Sequence, residues 1–318
     1  MRKNIFASLL TALTLASSGL APLPVLAWND FGHMTVAYLA YKKLTPTVRA
    51  RADKLLTLNP AYNAWLAQLP VNLSEAERNT EIFMLASTWP DTIKGDRSYF
   101  VDGSQHGFRP EGAGASQNIG YDDHQLHKYW HFVDQPFSYD HSPLPDDIVP
   151  NALTQMQSFD SVLASDSADE LKSFDLVWVL HMVGDLHQPL HCVTRVSRDH
   201  PNGDSGGNDV LISGAGESKN LHGFWDWILG RGGPSDVIAF ADKLPEPSSK
   251  AAAKLDAKTW ADEGYKLAVK KVYVGPIKKG SGPFVLDEAY VSKAKALAEQ
   301  RAALGGARLG NLLNAELK

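Results

Sequence analysis

The chain has 318 residues, 44% hydrophobic and 21% charged, so it can bury a sizeable core and is too apolar to be a disordered protein. A formal charge of −5 excludes a broadly basic surface for duplex DNA or acidic membranes, and the single cysteine, Cys192, excludes an intrachain disulfide. Residues 1–27 read as a secretory signal peptide: Arg2 and Lys3, an apolar stretch from 5 to about 20, then Pro22, Pro24 and the small-residue site Val25-Leu26-Ala27. Cleavage after Ala27 would take Arg2 and Lys3 away, lower the charge from −5 to −7, and send a chain beginning at Trp28 to the periplasm or out of the cell. Helical periodicity follows at 33–44, 75–87, 173–186, 221–229, 259–272 and 287–317, the last rich in Ala and Leu and read as interrupted at Gly305-Gly306. No run of alternating strand residues stands out. The Gly- and Pro-rich segments 95–123, 135–151, 197–219, 243–250 and 275–283 read as loops, and loops this long usually bind something or are disordered. The expectation is a mainly α, multi-helix fold over 28–318 in a single domain, without stable membrane association.

The histidines carry the chemistry. In His181-Met-Val-Gly-Asp185-Leu-His187-Gln-Pro-Leu-His191, residues 181 and 185 share a helix face at i, i+4, and Pro189 is expected to end the helix so that His191 turns back toward that face. A second unit, Asn220-Leu-His222-Gly-Phe-Trp-Asp226, repeats the His then Asp spacing. Imidazole nitrogens with carboxylate oxygens suit a catalytic zinc, and two such units argue for metal where one alone would pass as a surface hydrogen bond. Asp91 in Ser87-Thr-Trp-Pro-Asp91 and His131 in Tyr129-Trp-His131-Phe sit among apolar neighbours that would bury them, so each needs a partner. A free α-amine and carbonyl on Trp28 would add a chelating pair close to His33.

These motifs, with Gly206-Gly207-Asn208 and the 307–314 stretch, resemble the S1/P1 nuclease family in order along the mature chain. The resemblance implies three Zn²⁺: one held by Asp91, His131, His181 and Asp185; one by Trp28, His33 and the shared Asp185; one by His191, His222 and Asp226. It also implies hydrolysis of phosphodiester bonds in single-stranded RNA and DNA to 5′-phosphate products, 3′-nucleotidase activity on nucleotides, and a monomeric enzyme, with Asp91, Lys94 and Asp185 in catalytic roles. Single cysteine usage and the lone Asn72-Leu-Ser74 sequon suggest a bacterial member. Lys94 stands where relatives commonly carry Arg, so it would meet a phosphate as a point charge rather than a fork. Tyr99, Phe100, Phe137 and Tyr139 are candidates for stacking bases or for plain loop packing. His187 reads as structural, and His106, His124, His127, His141 and His200 as loop or surface residues. Two alternatives stand beside the nuclease: a bacterial zinc phospholipase C, which shares the expected fold but differs in N-terminal spacing and in its last ligand, and a non-catalytic zinc-binding protein.

Overall fold

The computed structural model describes residues 28–103, 109–214 and 216–317; the expected signal peptide and His106 lie outside them. Twelve α-helices occur among the described residues: α1 (Asp30–Lys43), α2 (Pro46–Leu56), α3 (Tyr62–Leu66), α4 (Glu75–Ala86), α5 (Trp89–Thr92), α6 (Ala152–Leu163), α7 (Asp169–Asp185), α8 (Leu221–Trp227), α9 (Pro234–Ala241), α10 (Ser249–Ala252), α11 (Ala257–Leu267) and α12 (Glu288–Glu316). The mainly α expectation holds. Four short strands form two parallel pairs, β1 (Gln135–Ser138) with β2 (Val193–Val196) and β3 (Ile212–Ser213) with β4 (Phe284–Val285), in the registers Gln135↔Val193 and Ile212↔Phe284. Both β1 and β3 fall in segments expected to be loops, because two to four residues are too few to show alternation.

Helix α7 is the axis of the fold. Every residue from Lys172 to Asp185 is buried, and the helix packs against α1, α2, α5, α6 and α12. A helix that is apolar on all sides is stable only when surrounded, so its last turn carries His181 and Asp185 into the interior. The helix ends at Asp185, before Pro189 rather than at it; Gln188 then caps a 3-10 turn at Pro189–Cys192 by accepting from Leu190 N at 2.6 Å. Residues ahead of a proline are pushed away from helical ψ, which ends the helix early.

Helix α1 begins three residues earlier than its apolar pattern, at a cap formed by Asn29, whose Oδ1 accepts from Gly32 N at 3.2 Å. The same side chain donates to Gly230 O at 2.7 Å and fastens the start of α1 to the residues after α8. Helix α12 is not interrupted: it runs through Gly305 and Gly306. A Cβ on Gly306 would stand 2.5 Å from Leu39 Cβ, and one on Gly310 would stand 2.9 Å from Lys43 Cβ. The glycines therefore let α12 lie close on α1, and packing outweighs their low helix propensity.

Candidate metal centre

Six separate segments bring their donors to one buried place. Helix α1 supplies His33, α5 supplies Asp91, the 3-10 turn Lys128–His131 supplies His131, and α7 supplies His181 and Asp185. The turn after α7 supplies His191, and α8 supplies His222 and Asp226 one helical turn apart. All eight are buried. Three groups have ligand atoms within 4.8 Å of one another: His33, His181 and Asp185; Asp91, His131 and His181; His191, His222 and Asp226. Asp185 lies between them, with Oδ1 3.5 Å from His33 Nε2 and 3.4 Å from His191 Nδ1, and Oδ2 3.3 Å from His181 Nε2 and 3.2 Å from His131 Nδ1. Trp28 is buried too, its side chain against Gly32, and Asn29 N donates to Asp226 O at 3.1 Å.

Backbone carbonyls orient the rings. His181 Nδ1 donates to Ser87 O, His191 Nδ1 to His131 O and His222 Nδ1 to Gly206 O, each at 2.8 Å. The proton on Nδ1 makes Nε2 the acceptor, and in all three rings Nε2 points into the cluster; those of His191 and His222 have no partner, while that of His181 lies 2.9 Å from His131 Nδ1. Gln188 Nε2 donates to Asp226 Oδ1 at 2.8 Å and holds that carboxylate. None of these supports was assigned from the sequence. A carbonyl belongs to every residue type and leaves no signature, although Gly206 and Gln188 stood inside quoted motifs.

The electrostatics suit a site that could hold cations. Burial holds the pKa values of His33, His131 and His181 well below the ordinary imidazole value and brings His191 down to about 4, so the rings are neutral and ligand-competent. Burial, reinforced by the charge of Asp91, raises Asp185 well above the carboxylate range, and burial pushes Asp226 up to about 7. His33 Nε2, His131 Nε2, His191 Nε2, His222 Nε2, Asp91 Oδ2 and both Asp185 oxygens have no hydrogen-bond partner. Each such buried polar atom costs about 1–3 kcal/mol. Orphans of this N and O type are what zinc prefers, so the donor set fits the metal.

A family model described as S1/P1 nuclease matches residues 28–318. The chain belongs to the S1/P1 nuclease family. It is 23% identical to nuclease S1 of Aspergillus oryzae over 266 residues, covering 80% of this chain and 73% of that one. It is 25% identical to endonuclease 5 of Arabidopsis thaliana over 313 residues, covering 91% and 90%, and 29% identical to endonuclease 2 of the same plant over 183 residues, covering 52% and 58%.

Other residues of this S1/P1 family member fall partly where they are expected and partly elsewhere. Lys94 folds back onto Asp91, Nζ to Oδ1 at 2.5 Å, and is nearly buried. Phe137 is buried edge-on against Tyr139 and Tyr273, and Tyr139 donates its hydroxyl to Val269 O at 2.8 Å, so these two rings are packing residues and not base platforms. Tyr99 lies edge-on to Trp89, while Phe100 is 57% exposed. His124 and His141 are exposed and His200 is half-buried, as loop residues should be. His127 is a correction: it is fully buried and stacked on Trp130 at 3.8 Å. Burial works against its charge, but hydrogen bonds to Asp102 and Asp123 hold its pKa above the ordinary value. It braces the turn that delivers His131. His187 donates Nδ1 to Val183 O at 2.7 Å and accepts at Nε2 from Arg308, so both nitrogens are used structurally.

Proposed function

We propose that the protein is an exported zinc-dependent nuclease that hydrolyses single-stranded RNA and DNA to 5′-phosphate products and removes 3′-phosphate from nucleotides. The observation that supports it most is the convergence of partnerless buried nitrogens and oxygens on three adjoining points in a chain of a nuclease family. Zinc would be held by Asp91, His131, His181 and Asp185; by Trp28, His33 and Asp185; and by His191, His222 and Asp226. Bound there, it supplies Lewis-acid activation of water and of the phosphoryl oxygens.

The chain's own residues do the rest. The shared carboxylate of Asp185 keeps two ligand groups at a fixed separation, and its placement at the end of a helix buried from Lys172 onward keeps that separation rigid. Lys94 is held by Asp91 until a substrate phosphate offers a second anionic partner, when its ammonium can neutralise a non-bridging oxygen. An acidic chain with a local cationic pocket suits a flexible single strand, which can bend into the pocket, better than a duplex that needs a broad basic track. The α-amine of Trp28 becomes a donor only once residues 1–27 are removed, which ties metal loading to export into the periplasm or beyond, where the enzyme would act as a monomer.

The deciding experiment gives the zinc-loaded protein single-stranded RNA, single-stranded DNA and phosphatidylcholine in parallel, with Asp185→Asn as control. Release of 5′-phosphorylated fragments that falls by about 10³-fold or more in the variant is the expected result, since Asp185 serves two ligand groups. Choline-phosphate release with the nucleic acids intact would instead assign a phospholipase C, and zinc binding without any turnover would assign a binding protein.

A further inference from the structure

A groove of about 760 Å³ lies between α11, the π-turn Ala268–Val272 that follows it, the turn Gly275–Lys278, β4 and the first half of α12. Its walls are aliphatic, formed by Leu267, Val274, Ile277, Leu286, Ala294 and Leu297, and Val285 at the same groove is 74% exposed. Three exposed lysines, Lys270, Lys271 and Lys293, also line it, and none forms an ion pair among the described residues. Asp287 is the one acid there, and its carboxylate already accepts from Tyr290 N at 2.7 Å as the cap of α12. In a chain of net charge −5, this is a local cationic rim over an apolar trough.

We propose that this groove binds a single-chain anionic amphiphile of the fatty-acid class, its alkyl chain along the aliphatic walls and its carboxylate at Lys270, Lys271 and Lys293. The volume lies within the roughly 300–1,000 Å³ typical of small-molecule sites. The lining separates this ligand from a nucleotide. Trp225 is fully buried with its Nε1 donating to Tyr290 Oη at 3.2 Å, and that hydroxyl donates to Val272 O at 3.1 Å, so the aromatic polar atoms at the groove are spent inside the protein. Few groups remain to read a base edge, whereas methylene groups need only apolar walls. The π-turn supports the same ligand. Neighbouring residues on an α-helix point apart, yet here Lys270 and Lys271 both line the groove, and π-turns recur at functional sites.

Titration calorimetry with laurate, kept below its micelle concentration, tests this on the zinc-loaded protein. The expected result is saturable binding at one site, weakened about tenfold or more by combining Lys270→Glu with Lys293→Glu, and also by Ala296→Trp, which fills the groove from an exposed position. Dodecyltrimethylammonium, with the same tail and the opposite charge, should bind at least about tenfold more weakly. Circular dichroism and the melting temperature show whether each variant is folded, independently of any catalysis. Absence of saturable laurate binding overturns the proposal, as does binding that survives both variants. Binding of hexathymidylate at the groove in place of laurate would assign it to nucleic acid, and a dimer dissociated by Ala296→Trp would assign it to a second copy of the chain; either result overturns the amphiphile.

Discussion

At His33 a candidate ligand is positioned by a missing side chain. A Cβ on Gly184 would lie 2.7 Å from His33 Nδ1, closer than any real contact, so the α7 backbone gives this ring its place one residue before Asp185. Gly184→Ala should therefore displace His33 while leaving α7 intact, since alanine favours a helix interior by about 1 kcal/mol over glycine. Activity is expected to fall roughly 10–100-fold, with zinc content reduced and helicity unchanged. Wild-type activity and zinc content in that variant would show that His33 is not held by this contact. Nine residues above it on α7, Asp175 is buried and burial pushes it up to about 8, against one hydrogen bond from Asn118 Nδ2 at 3.0 Å. Its folded pKa lies above the unfolded value of ~3.9, so the stability it contributes is fully present below about pH 4 and is lost as the pH rises through about 8. Denaturant melts at pH 6 and pH 9 should show the wild type losing stability toward pH 9 and Asp175→Asn losing less. An equal loss in both would remove Asp175 from the account.

Between elements, α12 lies close on α1, and the contact rests on Gly306. Substitution by alanine would gain about 1 kcal/mol of helix propensity, but the new Cβ would meet Leu39 Cβ at 2.5 Å and Val36 O at 3.0 Å. A backbone carbonyl cannot swing aside, and overpacking of this kind costs about 1–3 kcal/mol, so Gly306→Ala should destabilise the protein in denaturant melts. A variant as stable as the wild type would mean that the two helices separate freely. This contact also shows what was readable in the sequence and what was not. Two adjacent glycines argue locally for a break, and only the partner helix explains them. The paired His and Asp spacings on α7 and α8 were legible because helix geometry converts i, i+4 into a shared face. Helices α2, α6 and α9 announce themselves by their starts, at Thr45, Asn151 and Pro234, and apolar periodicity alone does not reveal them. The brace at His127 was illegible for another reason: Asp102 and Asp123 converge on it from a loop whose path no local pattern fixes.

For the whole molecule the question is what ties the six donor-bearing segments together. Cys192 is buried with its thiol pushed up to about 12 by burial, and Gly264 lies close against its sulfur, so no covalent link is available and no reductant should matter. The candidate links are the three donor groups, which join α1, α5, α7, α8 and two turns that are far apart in sequence. A ligand that binds only the folded state stabilises it by about 4 kcal/mol at a thousandfold excess over its dissociation constant, and three such sites act on one cooperative unit. Without cations the cluster keeps its partnerless polar atoms and the buried carboxyls of Asp185 and Asp226. Chelation at pH 7.5 should thus lower the melting temperature by at least about 10 °C, whereas dithiothreitol should leave it unchanged. Readdition of zinc should restore it, and calcium should not, since nitrogen donors dominate the set. Insensitivity to chelation in a protein shown to have lost its zinc would mean that the core around α7 holds these segments alone, and that the cluster serves chemistry without serving the fold.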